Sequence, residues 1–178
     1  LGYSCSELSK SLKDFKHPYA DREIEWDIAK SLWVESHIDK FDTRELKILK
    51  KIIKNFKDNL HLYNKLEKSI IHNDINDNNI IVTNDFLNPT VKSVIDFGDS
   101  VFSQIINDLA ITCSYGIMNL NDPLSGCIDI LKGYNKNRKV KDNELKLLYN
   151  LIAMRLVISV TKSSINRYKE PDNKYLLI

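Results

Sequence analysis

The chain has 178 residues, 43% of them hydrophobic, which is enough to bury one core and makes a single domain the default. A balance of 26 basic against 24 acidic residues leaves a net charge of +2, too small for a polyanion-attracting field, so no nucleic-acid partner is expected. Three widely spaced cysteines, Cys5, Cys113 and Cys127, with no C-x-x-C pair, fit a reduced, cytoplasmic protein better than a disulfide framework or a zinc site. Residues 1–5 lack the charged and apolar regions of a secretory leader. The longest apolar stretch, 151–160, is interrupted by Arg155 and is too short for a bilayer, so no membrane partner is expected either.

Taken in order, Leu1, Cys5, Leu8 and Leu12 recur at helical spacing and predict an amphipathic helix over 1–13, ended near His17 and Pro18. Residues 21–34 carry Ile24, Trp26, Ile28, Leu32 and Trp33, with Trp26 read as core and Asp27 as a helix cap. A long amphipathic helix is predicted from Ser36 or Asp39 to Leu66, its many lysines forming a solvated face. Ser69, Ile70 and Ile71 then predict a short strand. After a central polar region, 102–118 reads as a buried helix and 123–134 as a shorter one. A final long helix, capped by Asp142 or Asn143, runs to Tyr168. Arg155 lies within its apolar part, where a guanidinium needs a carboxylate or an anion as partner. A core ion pair and a substrate carboxylate are the two alternatives.

The central region is the most informative. The β-branched run Ile80-Ile81-Val82 and the apolar residues of 91–95 flank Asn84, Asp85, Asn88 and Pro89, a pattern that predicts a hairpin. A hairpin brings its ends together, so Asp74 and Asn79 on one side are expected to meet Asp96 on the other. Oxygen ligands of this kind suit a hard cation such as Mg²⁺, completed by substrate phosphates.

The spacing His72-x-Asp74-x-x-x-x-Asn79 followed by Asp96-Phe97-Gly98 resembles the catalytic and metal loops of protein-kinase-like phosphotransferases. Asn73 stands where protein kinases carry arginine, and Asp99 adds a second acid after the glycine. In this the pattern is similar to the aminoglycoside phosphotransferase and choline kinase branch. The resemblance implies an α+β, predominantly α-helical fold, in which a short β-hairpin carries the two loops. It also implies Asp74 as catalytic base, Asn79 and Asp96 as holders of Mg²⁺ and nucleotide (ATP or GTP), and His72 and Asp108 as supports of the catalytic loop. For Asp108, a carboxylate placed at a helix N-terminus is an equal alternative. Asp99, as an extra acid, would favour a cationic, amine-bearing alcohol.

The order of His17-Pro18, Trp26-Asp27, the two loops, Ala153 to Ser159 and the tail Glu170-Pro171-Asp172-Asn173-Lys174-Tyr175-Leu176-Leu177 is similar to hydroxylysine kinase-like members. These phosphorylate amino-alcohols such as 5-hydroxylysine. Rival expectations are an aminoglycoside, choline, ethanolamine or homoserine kinase, or a non-catalytic, pseudokinase-like binding module. With five glycines, no glycine-rich loop and 71 largely helical residues before His72, residues 1–178 are expected to form the C-terminal lobe alone. The N-terminal nucleotide-clamping lobe would lie outside the chain, and the isolated lobe would have little activity. Related segments occur fused to aminotransferase-like modules, so a multidomain parent is compatible with this reading.

Overall fold

The computed structural model describes residues 1–85, 87–170, 172 and 173. Most of the tail in 170–177 that contributes to the family resemblance lies outside them. Helices predominate, and α5 (Asp142–Lys169) is the element the others surround. Its residues Leu147, Leu148, Leu151, Ile152, Met154, Val157 and Ile158 are buried, so it presents apolar surface in several directions at once. Helix α3 (Ile106–Gly116), buried from Ile106 to Ser114, packs on it, as do α2 (Thr43–Tyr63) and a 3₁₀ helix, Ile28–Lys40. Helices α1 (Gly2–Leu12) and α4 (Pro123–Tyr134) close the other flank of α3. No described helix is long and apolar enough to cross a membrane.

Several boundaries differ from the sequence expectation, each for a physical reason. The long helix does not begin at Ser36 or Asp39. Asp42 caps it by accepting from the amides of Arg44 and Glu45, while Glu45 accepts from the Asp42 amide, a reciprocal box that sets Thr43 as the first residue. Residues 36–40 instead complete the 3₁₀ helix, which Asp27 caps as expected through the Ala29 amide at 3.0 Å. The last helix is entered from Lys141, whose amide donates to Glu144 at 2.9 Å, rather than from a cap at Asp142 or Asn143.

The stretch 101–104, expected at the edge of a helix, is a strand. β1 (Lys68–Ile71) pairs antiparallel with β4 (Val101–Gln104), Ile71 opposite Val101. The predicted hairpin forms from β2 (Ile80–Val82) and β3 (Val91–Val94), Ile80 opposite Val94. The two ribbons thus frame two loops, 72–79 and 95–100, and hold them side by side.

A buried polar cluster fixes this frame to the helices. Oδ1 of Asp27 accepts from the Ala29 amide, from Ser103 Oγ at 2.8 Å and from Asn107 Nδ2 at 3.4 Å, and that amide also donates to the Tyr63 hydroxyl at 2.9 Å. Burial pushes the Asp27 carboxyl above its usual range, and the amide and hydroxyl donors pull it back only in part.

Candidate functional site

Strand β1 enters the first loop at His72, which is fully buried. Its Nε2 meets the Ile95 carbonyl at 3.0 Å, and its Nδ1 accepts from the Asp74 amide at 3.2 Å. This pattern assigns the Nε2–H neutral tautomer. The ring also packs edge-on against Phe97, with centroids 4.7 Å apart. One imidazole therefore ties the first loop to the second. A backbone bond does the same, the Ile95 amide donating to the Asn79 carbonyl at 3.0 Å.

Asp108, in the first turn of α3, accepts from the amides of His72 at 3.0 Å and Asn73 at 2.8 Å. Complete burial pushes its carboxyl upward, opposed chiefly by these two amides. The loop needs such a hold, because Asn73 sits in the left-handed region at φ 68°. Its buried side-chain Nδ2 and Oδ1 have no hydrogen-bond partner among the described residues. Asp96 is left-handed too, at φ 62°, with its carboxylate accepting from the Gly98 amide at 3.1 Å. Among the described residues, two of the three non-glycine residues with positive φ thus lie in these two loops, where backbone strain commonly serves function.

The Asp74 carboxylate is held from both sides. Oδ2 accepts from Asn79 Nδ2 at 2.8 Å and from Asn76 Nδ2 at 2.9 Å; Oδ1 accepts from Arg155 at 2.7 Å. Asp74 and Asn79 are therefore in direct contact. Asp96 makes no hydrogen bond to either among the described residues, but all three lie on the same pair of linked loops. Asp99 is half-buried, and its carboxyl is pushed up first by burial and then by the neighbouring Asp74 charge, with Arg155 and Arg22 opposing. Arg155 is 1% exposed and donates also to the carbonyls of Trp26 and Asn73 and to the Tyr115 hydroxyl. Of its two sequence alternatives, the arrangement present is an ion pair, and the carboxylate belongs to the catalytic-loop motif itself.

Four participants escaped the sequence reading. Arg22 donates to the carbonyls of Gly98 and Ser100 and so steadies the second loop. Asn76 occupies an unspecified position of the motif. Tyr115 and the backbone of Trp26 enter only through their contacts with Arg155, 40 and 129 residues away in the chain.

The fit of a divalent cation can be judged from Asn79. Its amide nitrogen is committed to Asp74, which leaves the amide oxygen without a hydrogen bond among the described residues. With Asp96 that makes two hard oxygen donors. No group of three or more His, Cys, Asp or Glu side chains able to hold a metal occurs among the described residues. A pair of protein oxygens completed by phosphates and water is the sparse set that Mg²⁺ accepts.

A family model described as "Phosphotransferase enzyme family" matches residues 10–127. The chain belongs to this family. Curated relatives are hydroxylysine kinases of Xenopus laevis, 26% identical, and Mus musculus, 24% identical, each aligned over 100% of this chain. The matched parts are 51% and 50% of those proteins, so the chain spans about half the length of the curated relatives it matches. Among solved structures, the amicoumacin kinase hAmiN, in complex with AMP-PNP, Ca²⁺ and Ami, superposes with a TM-score of 0.63 over 91% of this chain and 49% of that one, at 16% identity. That likeness establishes the kinase-like fold.

Proposed function

We propose that the chain is the catalytic, acceptor-binding lobe of a small-molecule kinase, which transfers the γ-phosphate of ATP or GTP to the hydroxyl of an amino-alcohol such as 5-hydroxylysine. The observation that carries this reading is the Asp74 carboxylate, fixed by Asn79 and Asn76 yet 23% exposed, beside a second loop bearing Asp96. Phosphoryl transfer asks mainly for position and charge compensation, which such a pre-set pair of loops supplies. Asp74 orients the acceptor hydroxyl and takes its proton. Asn79 and Asp96 are the residues that would hold the metal. The chemistry the metal supplies when bound is neutralisation of charge on the transferred oxygens. Asp99 gives the acceptor side a negative group, which suits an ammonium on the alcohol, and the hydroxylysine kinase relatives support that choice.

The nucleotide base and a preceding lobe would cover what this lobe leaves bare. Ile81 and Val82 on β2, with Ile95 and Phe97 on the second loop, are 43%, 49%, 42% and 48% exposed. No described glycine has a positive φ, so nothing here has the look of a phosphate-cradling glycine loop. On this reading the clamp belongs to residues beyond this chain, in keeping with its spanning about half the length of the hydroxylysine kinase relatives.

The test is a coupled nucleoside-diphosphate release assay on the full-length protein with Mg²⁺, across hydroxylysine, ethanolamine, choline, homoserine and aminoglycosides. Turnover with an amino-alcohol supports the reading. Turnover only with an aminoglycoside would move the substrate class, and silence together with no Mg²⁺-dependent nucleotide binding would favour a non-catalytic binding module.

A further inference from the structure

The Asp74 carboxylate has room for about four hydrogen bonds, two at each oxygen. Asn76 and Asn79 take both positions on Oδ2, and Arg155 takes one on Oδ1. One position is left, on Oδ1, and the Asp74 side chain as a whole is 23% exposed. The guanidinium that occupies the neighbouring position is fixed from every direction. Its Nε donates to the Tyr115 hydroxyl at 3.3 Å, and one terminal nitrogen donates to the carbonyls of Trp26 at 2.8 Å and Asn73 at 3.4 Å. The rings of Trp26 and Tyr115 lie 5.0 and 5.4 Å from it, within cation–π range. A planar fork held in this way has little freedom left to lose, unlike a lysine ammonium.

We propose that Arg155 is a positioning residue for the transfer reaction: by occupying one side of Oδ1, it makes the remaining site on that oxygen the place where the acceptor hydroxyl binds. This rests on the reading of Asp74 as the acceptor-facing carboxylate. Arg155 itself is 1% exposed and paired with Asp74, so it acts through that carboxylate. The geometry that results joins the catalytic loop to the backbone before the 3₁₀ helix, to α3 and to α5, so the orientation of one carboxylate is set by three elements remote in sequence. Without the fork, Asp74 keeps its two amide donors but can rotate about its side-chain bond, and misplacement of this kind acts on the chemical step more than on binding.

The experiment is steady-state kinetics of the full-length protein with Arg155→Met, Arg155→Lys and Tyr115→Phe, using Asp74→Asn as the reference. The expected result for Arg155→Met is a kcat lower by roughly 10²-fold, with KM for nucleotide and acceptor within about two-fold. Arg155→Lys should regain part of that loss, and Tyr115→Phe should show a smaller fall in kcat alone. Should Arg155→Met fail to fold, the other two variants decide. Unchanged kcat in both, while Asp74→Asn is inactive, would overturn the inference and leave the Asp74 reading intact. A raised acceptor KM with unchanged kcat would also overturn it, making Arg155 a direct substrate contact. Full activity of Asp74→Asn would instead bring down the reading on which the inference rests.

Discussion

Around Asp74 the chain supplies its own restraints, whereas a few residues further on, the hairpin β2–β3 and the 95–97 segment leave large apolar side chains uncovered. The first region has a carboxylate with three donors, a buried Asp108 holding two amides, and a guanidinium enclosed by two rings. The second has Ile81, Val82, Ile95 and Phe97 each more than two-fifths exposed. The difference separates what one lobe must preorganise from what it must leave open. On the proposed reading, the first region orients the acceptor and the second is the face left open toward the nucleotide.

The contrast can be broken most severely at Asp108. Removing its side chain in Asp108→Ala strands the buried amides of His72 and Asn73, and a loss of about 2–5 kcal/mol is expected from chemical denaturation. A loss below 1 kcal/mol would mean that the loop is held by other means.

On the open side the expectation reverses. Ile81→Asp should leave stability within about 0.5 kcal/mol, as for an ordinary surface position. Nucleotide affinity of the full-length protein should still fall at least roughly tenfold, through the lost apolar contact. Calorimetric titration checks the second figure and thermal melting the first. Loss of stability without loss of affinity would make Ile81 part of the core of this lobe.

A smaller effect is expected at Asp27, where all three hydrogen bonds go to one oxygen. Asp27→Asn can keep them while removing a buried charge. Because burial raises the folded-state carboxyl above its usual value of 3.8, the native chain binds a proton more tightly than the unfolded one. The charge-burial contribution is therefore absent below that value, and stability falls as pH rises through the raised one. The variant should flatten this slope and gain on the wild type as pH increases toward neutral, measured by urea midpoints at several pH values. An unchanged slope would show that Asp27 titrates normally.

Smallest of all is Asn73→Gly. Glycine suits φ 68° and removes two unpartnered buried polar atoms, offsetting its greater chain entropy, so a change within about 1 kcal/mol is expected. Asn73→Val, β-branched in a left-handed position, should be clearly worse in the same melts.

These regions also differ in how far the sequence revealed them. The hairpin and the two loops were readable because β-branched runs, turn residues and motif spacing are all local signals. Strand β4 was not, since Val101 to Gln104 run without a break into the apolar face of α3, and only pairing with β1, whose residues lie far earlier in the chain, decides between strand and helix. The 3₁₀ helix, which packs against α5, has the residue spacing of an ordinary helix, so its tighter geometry was not legible in the sequence. The need of Arg155 for a partner followed from its apolar surroundings. Its partner did not, because 81 residues separate it from Asp74 and no periodicity spans that distance.

The most direct test of the account is Asp74→Asn in the full-length protein, measured with the amino-alcohol that turns over and alongside nucleotide affinity in Mg²⁺. The account predicts a fall in kcat of about 10²–10⁴-fold, in the range of a lost general base, with nucleotide affinity unchanged. Turnover near the wild-type rate would contradict it, because the carboxylate that the lobe takes such care to hold would then have no part in the reaction.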